Sequence, residues 1–201
     1  LTYIHRNDTK MSPIMARGMK MLPLDKERAI IGTRKQGIFI YHYRTQTFEQ
    51  FTTEFLNTLL FSICLTSDNK LYVSYYGMGV VCYTLDGKKT ATYQVNNSPL
   101  TNNYVMDIIE HQGKVWMATD GGGICLVDLA SGEFSTLKHT TGDPTSLPFN
   151  SITELYKDEN ENLWLGSVRG GAIHVKESYI RTYQDVVMNH HGGLTEKSVT
   201  S

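Results

Sequence analysis

One pattern of apolar and polar residues occurs four times along the chain. In each copy a short apolar run is followed, after a few polar residues, by a glycine that begins a second apolar run. A bulky apolar or aromatic residue stands seven positions before that glycine, and the four glycines are 42, 44 and 48 residues apart. The bulky residue and its glycine are Ile30 and Gly37, Tyr72 and Gly79, Trp116 and Gly123, and Trp164 and Gly171.

Each copy divides into four short strand-like runs that are separated by turn residues. In the third copy the runs cover residues 105–110, 115–119, 124–128 and 134–138, with a Gln-Gly turn after the first of them. Four antiparallel strands in a period of about 40–50 residues are typical of a β-propeller blade. The sequence therefore predicts an all-β fold, a β-propeller with about four four-stranded antiparallel blades.

The repeated positions have a structural explanation. A single four-stranded sheet has two faces that it cannot cover alone, so we expect the bulky residues to pack between blades. We expect the glycines to have positive φ, which allows a tight connection between the second and third strands of each blade. Trp116 and Trp164 are accordingly interpreted as core residues rather than as a pair that stacks on a ligand.

The repeat also predicts the organisation of the whole chain. Blades are expected at 19–58, 59–101, 102–148 and 149–187. Residues 1–18 resemble the end of a preceding blade with its linker, and residues 188–201 resemble the beginning of a next one. The chain is therefore expected to be part of a larger propeller, and its two uncovered blade faces predict self-association.

Composition and charge narrow the possible partners and cofactors. The chain has 201 residues, of which 40% are hydrophobic, and its 19 Lys and Arg residues against 20 Asp and Glu residues give a net charge of −1. Nucleic acid is therefore not an expected partner. The uncharged runs are shorter than the about 20 residues that a membrane-spanning helix needs. Three cysteines are too few and too widely spaced for a zinc site, so neither a metal nor a cofactor is predicted.

Motifs of known enzymes are missing from the sequence. Neither Gly-x-Ser-x-Gly nor His-Glu-x-x-His occurs, and Gly121, Gly122 and Gly123 join two strands instead of leading into a helix. The acidic cluster at 158–161 lies in a turn, where solvated carboxylates are usual, and the adjacent His190 and His191 would point in opposite directions. We expect no catalytic residues in this chain.

The residues of the third and fourth copies resemble a known repeat, the two-component regulator propeller. Its pattern is an acidic turn, Leu-Trp-Ile-Gly-Thr, and then Gly-Gly-Leu after a few residues. Similar stretches are V-W-M-A-T-D-G-G-G-I at 115–124 and N-L-W-L-G-S-V-R-G-G-A at 162–172, and the segment at 143–152 resembles the linker between blades. The first copy is recognisable, and the second departs most, with Tyr72 and Tyr75 in place of Trp and Thr.

The resemblance implies a role in signalling. Such repeats form the periplasmic sensor regions of membrane-anchored hybrid histidine kinases in Bacteroides-type bacteria, where paired seven-bladed propellers respond to oligosaccharides from complex carbohydrates and control polysaccharide-utilisation genes. The resemblance implies a non-catalytic sensing segment with an oligosaccharide ligand. Because nothing in this chain resembles a kinase, receiver or DNA-binding segment, any catalysis is expected in other portions of the parent protein. Two alternatives stay open: a propeller-fold polysaccharide lyase or glycosidase, and a protein-interaction scaffold.

Candidate ligand residues lie in the loops that a propeller places on one face. These are the loops between the second and third strands of a blade and those between blades. Aromatic rings beside Arg, Asn and Asp suit oligosaccharides, although solvated loop tips would have the same composition. The candidates are Arg34, Lys35, Tyr75, Tyr76, Asp120 and Arg169, with further polar residues at Asn96, Asn97, Asn102, Asn103 and 139–150.

Overall fold

The computed structural model describes residues 18–176 and 179–183. They form four separate sheets, each with four antiparallel strands in sequence order. The all-β architecture of four-stranded antiparallel sheets that the repeat predicts is confirmed. The described part of the chain contains no helix long and apolar enough to cross a membrane.

The strands are numbered in chain order, and each sheet forms one blade. Blade 1 contains β1 (Gly18–Pro23), β2 (Arg28–Thr33), β3 (Ile38–His42) and β4 (Thr47–Thr52). Blade 2 contains β5 (Leu60–Leu65), β6 (Lys70–Tyr75), β7 (Gly79–Thr84) and β8 (Lys89–Tyr93). Blade 3 contains β9 (Val105–His111), β10 (Lys114–Thr119), β11 (Gly123–Asp128) and β12 (Phe134–Leu137). Blade 4 contains β13 (Ile152–Lys157), β14 (Leu163–Ser167), β15 (Gly171–Lys176) and β16 (Tyr179–Tyr183).

The first strand of each blade is the innermost. Strand β5 contacts both β1 and β9, and β9 also contacts β13, so the four first strands surround a common axis. Each of them contains a register shift near its beginning, at Gly18/Lys20, Leu60/Ser62, Val105/Asp107 and Ile152/Glu154. Such bulges increase the local twist and turn the inner strands around the axis.

Three apolar clusters fill the spaces between successive blades. The first joins blades 1 and 2, the second joins blades 2 and 3, and the third joins blades 3 and 4. Ile30, Tyr72 and Trp116 belong to these clusters in that order, as the sequence predicts. The equivalent Trp164 is half-buried on the face of blade 4 that is turned away from blade 3, where its ring stacks on His174 with 4.5 Å between centroids.

The repeated glycines have the predicted backbone conformation. Their φ angles are 86° at Gly37, 71° at Gly79, 79° at Gly123 and 64° at Gly171. A Cβ atom at Gly79 would lie 2.1 Å from the carbonyl oxygen of Tyr93. Only glycine therefore fits where the third strand begins beside the fourth.

The acidic turn of blade 4 is held by the carboxylate of Asp158. This group accepts hydrogen bonds from the backbone amides of Asn160 and Asn162 at 2.9 Å and from Trp164 Nε1 at 3.0 Å. These donors, that of Trp164 first, lower the pKa of Asp158 to about 2. The acidic residues lie in a turn, as the sequence predicts, and the Asp158 carboxylate stabilises that turn through these hydrogen bonds.

Several predictions from the sequence lie outside the described residues. These are the end of a preceding blade proposed for most of 1–18, the beginning of a next blade proposed for 188–201, and the histidine pair.

Candidate functional site

One end of the blades carries the loops in which the sequence analysis placed a ligand site. We call this surface the loop face. It consists of the loops between second and third strands, at 34–37, 76–78, 120–122 and 168–170, and the connections between blades, at 53–59, 94–104 and 138–151. Most exposed large apolar side chains lie on it, namely Leu56, Tyr76, Met78, Val95, Tyr104 and Val168.

Backbone hydrogen bonds join these loops into one continuous surface. The connection between blades 1 and 2 bonds to both of them, because Leu60 N donates to Arg34 O at 3.3 Å and Tyr76 N donates to Leu59 O at 2.8 Å. The next connection repeats the arrangement, since Asp120 N donates to Tyr104 O at 3.0 Å. The backbone of the loop face is therefore ordered by its own hydrogen bonds.

The same bonds arrange the candidate residues in a row. Arg34 of blade 1 is bonded to the segment that is bonded to Tyr76 of blade 2. The ring of Tyr76 contacts the ring of Tyr104 with 5.0 Å between centroids, and the carbonyl of Tyr104 accepts from Asp120 of blade 3. The structure thus brings Arg34, Tyr76 and Asp120 onto one surface, with Lys35 exposed beside Arg34.

The centre of the row is aromatic. Tyr76 and Tyr104 are 53% and 40% exposed, and their rings meet edge to face at an interplanar angle of 81°. Phe61 supports Tyr76 from the inner strand with 5.6 Å between centroids. Two accessible tyrosine rings at nearly a right angle form a corner in which the apolar face of a ligand can rest.

Tyr75 is a correction to the predicted set. Its side chain is fully buried and stacks on Phe55 at 4.8 Å between centroids. Burial raises the pKa of Tyr75 to about 12. Tyr75 is the last residue of β6, where the equivalent residues Thr33 and Thr119 are also buried, so its ring points into the core and is inaccessible to a ligand.

Asp120 and Arg169 extend the row into blades 3 and 4. The carboxylate of Asp120 accepts from Ser151 Oγ at 2.5 Å, and its backbone oxygen accepts from Asn102 Nδ2 at 2.5 Å. Arg169 is exposed in the corresponding loop of blade 4, beside Gly170, which packs closely against Phe149. Both charged side chains are available at the surface, and Asp120 is anchored.

A second polar cluster lies on the axis, which we call the axial hub: Lys20, Ser62, Asp107 and the backbone amide of Leu155. Asp107 Oδ1 accepts from Lys20 Nζ at 2.9 Å and from Ser62 Oγ at 2.7 Å, while Oδ2 accepts from Leu155 N at 3.0 Å. Lys20 Nζ also donates to Ser62 Oγ at 2.9 Å. A single carboxylate therefore connects the inner strands of all four blades.

A cavity of about 590 Å³ lies next to the hub and opens at the end opposite the loop face. The charged side chains that line the cavity already have partners. Lys20 forms an ion pair with Asp107, and Lys157 forms one with Glu161. The two carboxylate oxygens of Glu110 accept hydrogen bonds from the backbone amide and the hydroxyl of Ser67. His111 is buried in its wall, and burial, followed by the nearby charge of Lys157, lowers the pKa of this imidazole.

The three cysteines are core residues. Cys64, Cys82 and Cys125 are buried and free, and burial raises the pKa of the Cys64 thiol to about 12. Within the described residues, no group of three or more His, Cys, Asp or Glu side chains could hold a metal ion.

Sequence reasoning missed Tyr104, Phe61 and the hub. Tyr104 stands immediately before an inner strand, at the position that Ser151 occupies before β13, so a comparison of the repeats would have placed it on the loop face. The hub has no such signal, because its residues differ in type from blade to blade.

Solved structures with the same fold are β-propeller domains, so the fold class is a β-propeller. The extracellular domain assigned to the hybrid two component system BT3049 of B. thetaiotaomicron aligns with a TM-score of 0.65 and 20% identity over 89% of this chain and 25% of that chain. That of the one component system BT4673 of B. thetaiotaomicron aligns with a TM-score of 0.67 and 20% identity over 84% and 24%. This chain spans about a quarter of the length of both.

The particular repeat is also identified. The profile of the two component regulator propeller matches residues 146–169, so the chain carries this repeat and the resemblance noted from its sequence is confirmed. The matched segment combines the linker before blade 4 with β13 and β14, and the similar stretch at 115–124 lies outside it. No curated protein matches the chain at a significant level.

An enzyme is found among the structural neighbours. Virginiamycin B lyase of Staphylococcus aureus aligns with a TM-score of 0.63 and 14% identity over 85% of this chain and 56% of that chain. At such identities the likeness shows a common fold, which hosts both sensors and enzymes.

Proposed function

We propose that this chain is a non-catalytic sensing segment in the extracytoplasmic, periplasmic part of a membrane-anchored two-component sensor, and that it binds an oligosaccharide of complex-carbohydrate origin on its loop face. The observation that carries the proposal is the two component regulator propeller repeat at 146–169, together with the extracellular two component system domains among the structural neighbours. Control of polysaccharide-utilisation genes belongs to the same proposal.

The loop face supports the ligand part of this proposal. It offers accessible tyrosine rings beside anchored amide and carboxylate groups, on a backbone that is already ordered. A preordered surface binds with a smaller loss of conformational entropy than a flexible one. Apolar ring faces combined with hydrogen-bonding groups match a sugar, which has apolar C–H faces and polar hydroxyl edges.

The carboxylates of the loop face have structural partners, which favours binding over catalysis. Glu54 accepts hydrogen bonds from Lys89 and Tyr83. Asp120 accepts one from Ser151, and Asp143 accepts one from Thr145. A glycosidase would need two carboxyl groups that face each other across a bond to be cleaved. The lyase among the neighbours keeps an enzyme as the second candidate.

The test is a thermal-shift screen of the 201-residue chain against neutral and acidic oligosaccharides, with product analysis of the same samples. We expect a saturable rise in melting temperature with intact sugars, because a ligand that binds only the folded state stabilises it. Tyr76→Ala should abolish the rise. Tyr43→Ala is the matched control, since Tyr43 is 41% exposed in the β3–β4 turn of blade 1, at the end of the blades opposite the loop face.

Three results would reject this function. Cleavage of a sugar would establish the enzyme instead. Equal losses with Tyr76→Ala and Tyr43→Ala, or no stabilisation by any sugar, would show that the loop face of this chain is not a carbohydrate site.

A further inference from the structure

The middle of the loop face contains no charged side chain. Residues 75–78 and 94–104, the two loops that contribute Tyr76 and Tyr104, include no Asp, Glu, Lys, Arg or His. The nearest charges along the row belong to Arg34 and Lys35 in blade 1 and to Asp120 in blade 3. The two loops that form the corner therefore offer a ligand aromatic and amide groups and no charged side chain of their own.

The amides of this region have defined orientations. Asn97 Oδ1 accepts from Gln94 N at 2.8 Å, and Asn103 Oδ1 accepts from Val95 N at 3.0 Å. Gln94 Nε2 in turn donates to Met78 O at 3.0 Å, which ties the loop to blade 2. Because each oxygen is bound to the backbone, the Nδ2 groups of Asn97 and Asn103 remain as oriented donors.

Oriented neutral donors beside aromatic rings select for uncharged ligands. A hydroxyl oxygen can accept from an Asn Nδ2 group while the apolar face of its sugar covers a tyrosine ring. A carboxylate at the same place would lose its hydration without meeting a cation, which costs free energy. It would also be repelled by Asp120, whose backbone amide bonds to Tyr104 O.

We infer that the Tyr76–Tyr104 corner, together with the amides of Asn97 and Asn103 in the loop that contributes Tyr104, is a subsite for a neutral sugar unit, and that it discriminates against uronic-acid and sulfated units. This inference rests on the proposed carbohydrate-sensing function and adds the chemical class of the ligand. Tyr104 and Asn103 are the residues that determine specificity in it.

The experiment compares neutral and acidic tetrasaccharides by calorimetric titration of the 201-residue chain. The neutral probes are cellotetraose, xylotetraose, mannotetraose and β-1,4-galactotetraose, and the acidic probes are tetragalacturonate and a heparin tetrasaccharide. We expect binding of at least one neutral probe and of neither acidic probe. The affinity should change less than about twofold with added salt, because no ion pair is formed.

Two variants locate the subsite. Tyr104→Ala should weaken neutral binding about tenfold or more, as removal of a central aromatic contact does. Asn103→Asp keeps the oxygen that accepts from Val95 N but replaces the donor by a negative charge, and a similar loss is expected. Tyr43→Ala, at the opposite end of blade 1, should leave the affinity unchanged.

The outcomes separate this inference from the proposed function. Binding of an acidic probe without binding of a neutral one would overturn the neutral subsite and leave carbohydrate sensing in place. Neutral binding that survives both Tyr104→Ala and Asn103→Asp would also overturn it, since the sugar would then sit elsewhere. Absence of binding by all six probes would overturn both.

Discussion

Asp107 is expected to hold the four blades together, and Asp107→Ala tests this directly. The substitution removes the acceptor of Leu155 N, of Ser62 Oγ and of Lys20 Nζ. It leaves the buried amide of Leu155 without that partner, and it leaves Lys20 without its counter-charge.

The cost can be worked out from these contacts. A buried donor without a partner costs about 1–3 kcal/mol, and breaking a buried ion pair costs about 3–5 kcal/mol. The Asp107 side chain is 9% exposed, but that of Lys20 is 34% exposed, so water partly replaces the lost carboxylate. We therefore take the lower end of the ion-pair range and expect the free energy of unfolding to fall by about 3 kcal/mol. This loss corresponds to a fall of about 6–12 °C in melting temperature for a chain of this size.

The assay is urea unfolding followed by circular dichroism, with calorimetry for the melting temperature. Glu154→Ala is the matched control, because Glu154 follows the register shift of β13 as Asp107 follows that of β9, and it is exposed. The control should change stability by no more than about 0.5 kcal/mol. A loss of stability below about 1 kcal/mol for Asp107→Ala would refute the reasoning, because even one unsatisfied buried donor costs that much. Equal losses of stability for Asp107→Ala and Glu154→Ala would refute it as well.

Three further predictions concern the blades themselves. Gly79→Ala should destabilise the fold by more than about 3 kcal/mol in urea unfolding, because the added Cβ would clash with the Tyr93 carbonyl oxygen. Gly113→Ala is the control: this glycine has a φ of 70° and no atom within 4 Å of an added Cβ, so the substitution should cost only about 1–2 kcal/mol. Similar losses of stability in the two variants would contradict this prediction. The pKa of Asp158 is about 2 in the fold against 3.8 ordinarily, so its stabilising contribution is present above pH 3.8 and lost as pH falls towards 2. Asp158→Asn should therefore flatten the dependence of the urea midpoint on pH in that range, and an unchanged slope would be the contrary result. Self-association through the outer face of blade 4 should appear as a concentration-dependent sedimentation coefficient that Trp164→Arg reduces, and a monomer at all concentrations would exclude it.

The fold could be predicted from the sequence because the same spacing of a bulky residue and a glycine occurs four times. A glycine with positive φ and a bulky residue seven positions earlier recur wherever a blade needs a tight connection and an apolar face. Their positions follow from backbone geometry, which is the same in every blade.

The candidate site was only partly predictable, because accessibility depends on one-residue differences in register. Tyr75 and Tyr76 are adjacent and chemically identical, yet the first is buried and the second is 53% exposed. Aligning Tyr75 with Thr33 and Thr119 would have identified it as an interior position. No alignment of repeats would have found the contact between Tyr76 and Tyr104, because it joins two loops that lie far apart in sequence.

The axial hub also bears on how similar blades are kept in their order. Repeats that share one backbone can pair with the wrong neighbour during folding, which is a typical failure of repeat proteins. Here each inner strand contributes a different group: an ammonium from Lys20, a hydroxyl from Ser62, a carboxylate from Asp107 and a backbone amide from Leu155. These groups complement one another only in the native sequence of blades. A chain in which blades 2 and 3 were exchanged would keep every apolar repeat position but would separate these partners. The hub therefore favours the native order of blades that are otherwise similar in structure.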